Sequence, residues 1–263
     1  MTRLAANLTM LFTDLPFLDR FAAAADAGFT AVECVSPYGK SAVAVAEEAR
    51  RHGLTVALFN LPPGDWAAGE RGFAADPARV EEFRKSIDTA LEYARATGCR
   101  TLHVMAGKIS QDADRTAWTD TLIDNVRTAA DMVAGDGVTL VLEPINTRID
   151  IPTYFYDSTS AVLDVMDKVG RDNVKLLYDV YHMQIMEGDV ARAIERLLPR
   201  IGHIQIADNP GRHEPGTGEL NFPWLLERID TLGYDGWIGC EYVPAIGTIA
   251  GLDWAGRYLV RAT

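Results

Sequence analysis

Glu143, Asp179, Gln205 and Glu241 are the residues of this sequence best suited to chemistry. Each sits at or beside the end of a short apolar run, in TLVLEP, VKLLYDV, GHIQIAD and GWIGCEY. Three carboxylates and an amide gathered at one point repel one another unless a cation lies between them. Oxygen-only ligation selects a hard ion, so Mg²⁺ or Mn²⁺ is expected rather than Zn²⁺. Carboxylates beside such an ion can also exchange protons with a bound molecule. His182 follows Asp179 in the step Asp-Val-Tyr-His, where it could hold a substrate oxygen or move a proton. His103 and His203 fall inside apolar runs and are expected in the core or lining a mouth. His52 precedes Gly53 and reads as a helix-end residue.

For the four to meet, their runs must be neighbours in one sheet. Strands are expected at 4–9, 31–35, 54–60, 100–105, 139–144, 174–179, 202–207 and 236–242. Amphipathic helical stretches alternate with them, at 16–27, up to His52, then 78–97, 115–134, 158–169, 190–197 and 222–232, and a last helix closes the chain. Gly28 and Gly98 stand where left-handed C-terminal caps belong, and Ser158 where an N-cap belongs. Eight β/α units in about 250 residues match a (β/α)8 TIM barrel, here read as one domain over 1–263. The strands are mostly apolar, as parallel strands covered on both faces should be. No G-x-G-x-x-G follows the first strand, which argues against an open doubly wound sheet. In a TIM barrel the active site lies at the C-terminal strand ends. Strands five to eight are consecutive, so their four polar ends can converge. Glu33 also falls late in its strand. Cys34 and Cys240 adjoin Glu33 and Glu241, and strand alternation sends such neighbours to the opposite face, towards the helices.

The bulk properties narrow the partners. The chain has 263 residues, 48% hydrophobic and 24% charged, an ordinary globular composition. A net charge of −12 and a pI near 4.8 argue against a nucleic-acid partner, which favours a basic stripe. The three cysteines, with no CxxC, read as reduced thiols. The opening MTRLAANLTMLFTDLP is interrupted by Asn7, Thr9 and Asp14 and lacks the apolar core of a signal peptide. No run approaches the ~20 apolar residues of a membrane span. A cytoplasmic protein with no membrane partner is expected, and the sequence allows a homo-oligomer.

The segments NLTMLF, NLPPGDWAAGERG, LEPIN, YDVYHMQIMEGD, GHIQIADNPGRHEPGTGE and GWIGCEY resemble the hydroxypyruvate isomerase family, within the wider group of xylose-isomerase-like TIM barrels. The resemblance runs from residue 7 to about 252. It implies interconversion of hydroxypyruvate and 2-hydroxy-3-oxopropanoate (tartronate semialdehyde). It also implies Glu143 and Glu241 as proton donor and acceptor, and Glu143, Asp179, Gln205 and Glu241 as metal ligands. Ketose 3-epimerases, which share the barrel, carry His where Gln205 stands. A sub-branch acting on the four-carbon 2-oxo-tetronates has nearly the same motifs, and both substrates remain open.

Such a reaction moves a proton between adjacent carbons through an enediolate, which a divalent metal steadies. The substrate, a small hydroxy-oxo acid, brings a carboxylate that needs a cation in an acidic protein. Arg212 after strand seven is the first choice, because guanidinium binds carboxylate bidentately; Lys108 and Arg71 are the others. The loop at 61–77 exceeds the usual ~12 residues of a structureless connection. With Trp66, Glu70 and Arg71 in it, it is expected to cover the mouth, Trp66 shielding the enediolate. HEPGTGE lacks the Lys-Ser/Thr of a P-loop and reads as a shaped substrate loop. A DNA-repair endonuclease on this barrel would call for a His-rich zinc site and a basic groove; five histidines and a charge of −12 oppose both.

Overall fold

In the computed structural model, which describes residues 2–260, eight parallel strands close on themselves in chain order. They are β1 (Arg3–Asn7), β2 (Ala31–Cys34), β3 (Thr55–Asn60), β4 (Thr101–His103), β5 (Thr139–Leu142), β6 (Val174–Asp179), β7 (Ile201–Ile206) and β8 (Trp237–Cys240). Among the described residues eight α-helices accompany them: α1 (Asp19–Asp26), α2 (Ala42–Arg51), α3 (Val80–Thr97), α4 (Arg115–Val133), α5 (Thr159–Val169), α6 (Val180–Met186), α7 (Val190–Leu197) and α8 (Phe222–Thr231). This is the expected TIM barrel. No helix among the described residues is long and apolar enough to cross a membrane.

Local sequence sets the helix limits. Ser41, Asp114 and Ser158 each accept a backbone N–H at the start of α2, α4 and α5, which satisfies donors the helix itself leaves open. Gly98 and Gly170 end α3 and α5 in the left-handed conformation. The outer core, between strands and helices, includes the wholly buried Leu102, Leu122, Val126, Leu140, Leu142, Ile204 and Ile238, each such side chain contributing roughly 1.5–3 kcal/mol by leaving water. Cys34 and Cys240 belong to this layer, as strand alternation predicts, and all three thiols are free and buried.

Inside the barrel the character changes along the axis. Ala5, Ala31 and Ala57 pack beside Trp237, and Leu58, Val141 and Leu177 form a second small cluster. Nearer the C-terminal ends the buried residues turn polar: Asn7, Glu33, Asn60, His103, His203 and Gln205. The register pairs Asn7 with Glu33, Asp179 with Gln205, and Gln205 with Gly239, so these positions are nearly level around the barrel.

Two local features differ from expectation. The helix expected to close the chain is absent among the described residues; after β8 there is only a 3-10 turn at Asp253–Ala255. Trp254, Tyr258 and Leu259 instead lean on the core from an irregular segment, and the Val260 N–H donates to the Gly28 carbonyl. Gly28 permits this, since a Cβ there would lie 2.7 Å from the Val260 carbonyl oxygen. The second feature is α6, a short helix that starts directly from Asp179.

Candidate active site

The polar ends of β5 to β8 meet at the C-terminal mouth. Glu143 and Glu241 each stand one residue beyond their strand, where the backbone has left the ladder, and both are buried. Asp179 ends β6 and caps α6: its Oδ1 accepts from Tyr181 N at 2.7 Å and from His182 N at 3.4 Å. Its Oδ2 has no hydrogen-bond partner. Glu143 Oε1 and Gln205 Oε1 are likewise buried without partners. One ligand atom from each of Glu143, Asp179, His182 and Glu241 can be chosen so that all lie within 4.8 Å of one another.

Buried oxygens without donors are costly unless a cation or ligand completes them. The orphaned atoms here are acceptors from two carboxylates and an amide, with the Glu241 carboxylate beside them. That donor set fits a divalent metal. His182, expected to hold a substrate oxygen or move a proton, stands in the same group, one ring nitrogen lying within 4.8 Å of oxygens of Glu143, Asp179 and Glu241.

Electrostatics agree. Burial, then the charges of Glu241 and Asp179, push the Glu143 carboxyl well above its ordinary value. Burial raises Asp179 to about 6 and Glu241 to about 8, with Arg212 opposing in both cases. Acids that resist ionisation in the absence of a cation, grouped in a cleft, mark a site.

His182 is fixed in one tautomer. Asn146 Nδ2 approaches its Nδ1 at 2.7 Å; an amide nitrogen can only donate, so Nδ1 accepts and Nε2 carries the hydrogen. That Nε2 lies 3.6 Å from Glu143 Oε1 and 3.7 Å from Asp179 Oδ2. Burial, then Arg212 and His103, keep the ring neutral. His103 lies on the other flank of Glu143, with Nε2 3.6 Å from Oε2. Burial and the nearby His203 lower its pKa to about 3.

Arg212 adopts a left-handed backbone (φ 55°) after β7. Its Nη2 donates to Glu241 Oε2 at 2.7 Å and its Nη1 to Asp150 Oδ2 at 3.3 Å. Burial opposes its charge, but Glu241, Asp179 and Asp150 more than compensate.

A cavity of about 240 Å³ opens onto these groups. Trp66, Arg71, His103, Glu143, Asp150, His182, Arg212 and Glu241 are among its walls. Arg71 lies 3.7 Å from the centroid of the Trp66 ring and donates to the Trp66 and Glu70 carbonyls. The loop at 61–77 thus reaches the mouth through two of the three residues singled out in it.

Glu70 and Lys108 are not among the walls of this cavity. Glu70 accepts from Asp65 N and from Arg79 Nη1, which ties the loop to the start of α3. Lys108 donates to the Gly69 carbonyl and lines a separate pocket with Glu70, Arg79 and Trp118.

Four further residues take part without having been singled out for the site: Asn7, Glu33, Asn146 and Asp150. Asn146 is wholly buried and organises the loop after β5, accepting from Ile149 N and Asp150 N and donating to Asp150 Oδ2. The LEPIN tract carried a signal for it, since an Asn three residues past Glu143 stands in the same mouth loop.

The Xylose isomerase-like TIM barrel family matches residues 21–258. A 2-oxo-tetronate isomerase from Cupriavidus necator is 53% identical over 99% of this chain and 100% of that one. The hydroxypyruvate isomerase of Escherichia coli is 44% identical over 98% of this chain and 100% of that one. A crystal structure from Brucella melitensis described as AP endonuclease, family 2, superposes with a TM-score of 0.96 at 48% identity, covering 99% of this chain and 100% of the other. With such matches running through both chains end to end, this chain belongs to the hydroxypyruvate isomerase and 2-oxo-tetronate isomerase group of the xylose isomerase-like TIM barrels, and it is an isomerase.

Proposed function

We propose that the protein isomerises a 2-oxo-tetronate, moving the carbonyl to the neighbouring carbon, with Mg²⁺ or Mn²⁺ held by Glu143, Asp179, Gln205 and Glu241. The observation that carries the chemistry is the set of partnerless buried oxygens on Glu143, Asp179 and Gln205 beside Glu241. The four-carbon substrate is favoured because the 2-oxo-tetronate isomerase match stands at 53% identity and the hydroxypyruvate isomerase match at 44%. Hydroxypyruvate, the substrate the sequence resemblance put first, is the second reading, and it rests on the latter match.

The bound cation supplies positive charge that polarises the substrate carbonyl and makes the adjacent C–H acidic. Glu143 and Glu241 are the pair that takes a proton from one carbon and returns one to its neighbour, while the electron pair passes through the enediolate. Neutral His182 presents Nε2–H as a donor to a substrate oxygen. Arg212, already poised between two acids, turns its guanidinium to the substrate carboxylate. Trp66 and Arg71 exclude water from the mouth. The cavity suits a ligand of this size and is small beside the ~300–1,000 Å³ common for larger ligands. Endonuclease activity, named for the Brucella protein, is disfavoured here by the net charge of −12.

The test is isomerisation in D₂O with Mn²⁺, followed by NMR, using 2-oxo-tetronates and hydroxypyruvate side by side. Deuterium should enter the carbon next to the carbonyl fastest with the four-carbon acid. Faster exchange with hydroxypyruvate would reverse the order of the two readings, and exchange with neither would refute both.

A further inference from the structure

Beneath the ligand residues lies a carboxylate that the proposed reaction does not use. Glu33, on β2, is 1% exposed and accepts from three side chains. Asn7 Nδ2 donates to Oε1 at 2.9 Å, Gln205 Nε2 donates to the same oxygen at 2.8 Å, and His203 Nε2 lies 2.7 Å from Oε2. The two amide nitrogens can only donate, and His203 Nε2 donates to Oε2 in the tautomer that carries its hydrogen there.

This has a directional effect on Gln205. A glutamine amide has a donating end and an accepting end, and only the first can face a carboxylate. With Nε2 held down by Glu33, Oε1 is turned away and is left with no partner. Only that end of the amide can ligate a cation. The second effect passes through Asn7. Its Oδ1 accepts from Thr9 N, which fixes the amide, and its Nδ2 reaches both Glu33 Oε1 and Glu241 Oε1, the latter at 3.1 Å. The buried acid thus touches Gln205 directly and is linked to Glu241 through Asn7. The barrel makes room for it at Gly239 on β8, where a Cβ would come within 2.3 Å of both Glu33 oxygens.

We propose that Glu33 is a positioning residue that selects which end of the Gln205 amide faces the metal. This rests on the reading of Gln205 as a ligand. Replacing Glu33 by Gln allows a donor to face Gln205, the amide to turn over, and its NH₂ to point at the cation. Exchanging the two residue types, in Glu33→Gln combined with Gln205→Glu, restores both a complementary pair and an oxygen towards the metal.

The experiment is Mn²⁺ titration of the folded proteins, with free ion read by electron paramagnetic resonance and folding checked by circular dichroism. Glu33→Gln should bind Mn²⁺ about 10–100-fold more weakly than wild type, and the double exchange should return to within about threefold of wild type or bind more tightly. If wild type binds and Glu33→Gln binds equally well, the positioning role is wrong while the metal reading stands. A weakened single variant that the exchange does not rescue also overturns it, because general loss of packing would behave that way. Absence of Mn²⁺ binding by wild type removes the metal reading and this inference together. Should Glu33→Gln fail to fold, the double exchange decides: wild-type affinity supports the role, and a folded, weak-binding protein refutes it.

Discussion

Arg212 Nη2 stands 2.7 Å from Glu241 Oε2, inside the group of acids that would surround a cation. The guanidinium is the positive charge facing these acids in the absence of metal, and it also reaches Asp150 and Asp179. Arg212→Met should therefore destabilise the metal-free protein by a few kcal/mol, because buried acids lose their partner. That corresponds to a fall in Tm of roughly 5–10 °C. Added Mn²⁺ should recover part of it. A variant with wild-type Tm in the presence of a chelator would contradict the pairing.

Glu143→Gln and Glu241→Gln should each lower kcat by about 10²–10⁴-fold, the usual contribution of a positioned acid or base. Substrate binding, measured by calorimetry, should persist. A variant that loses binding but keeps kcat would assign the residue to positioning alone.

The raised carboxyls fix the sign of a pH effect. Above the ordinary carboxylate range the unfolded chain has released protons that folded, metal-free Glu143, Asp179 and Glu241 still hold. Stability from these groups therefore declines as pH rises towards their folded values, about 6 for Asp179 and about 8 for Glu241. A cation must displace those protons, so Mn²⁺ affinity should climb between about pH 6 and 8, with proton release. Calorimetry in buffers of different ionisation enthalpy measures the release. A pH-independent affinity would show that the acids are already ionised without metal.

Trp66 is 42% exposed, yet it lines the cavity and carries Arg71 against its ring. Trp66→Ala should reduce kcat/KM roughly tenfold, about 1.4 kcal/mol of transition-state stabilisation, with Trp66→Phe losing less. Unchanged kinetics in Trp66→Ala would leave the loop without a covering role.

The barrel was legible because its strands are apolar runs spaced by helices with ordinary caps, and the four acceptor residues because each interrupts such a run at its end. Other parts were hidden for physical reasons. Asp179 reads as the end of a strand, and only its side chain, capping Tyr181 and His182, shows that a helix begins there. Glu33 lies 170 residues from His203 and 172 from Gln205, so no local pattern joins them. Asn7 reads as a polar break in an apolar opening segment, which gives no hint that it bridges two acids. Glu70 and Lys108 stand in mouth loops by sequence, but Arg79 and the Gly69 carbonyl draw them elsewhere. Loop direction depends on such contacts, and residue type does not reveal them.

The close approach of Glu33 to Gly239 links two strands that are far apart in the chain and only two places apart around the ring. A side chain on one requires an empty place on the other, so neither position can drift alone. Relatives that have lost the acid should be free to carry alanine or something larger at the glycine, and those that keep the acid should not. Joint change at these two sites would then serve as a written record, readable without any structure, of which lineages still depend on the buried carboxylate.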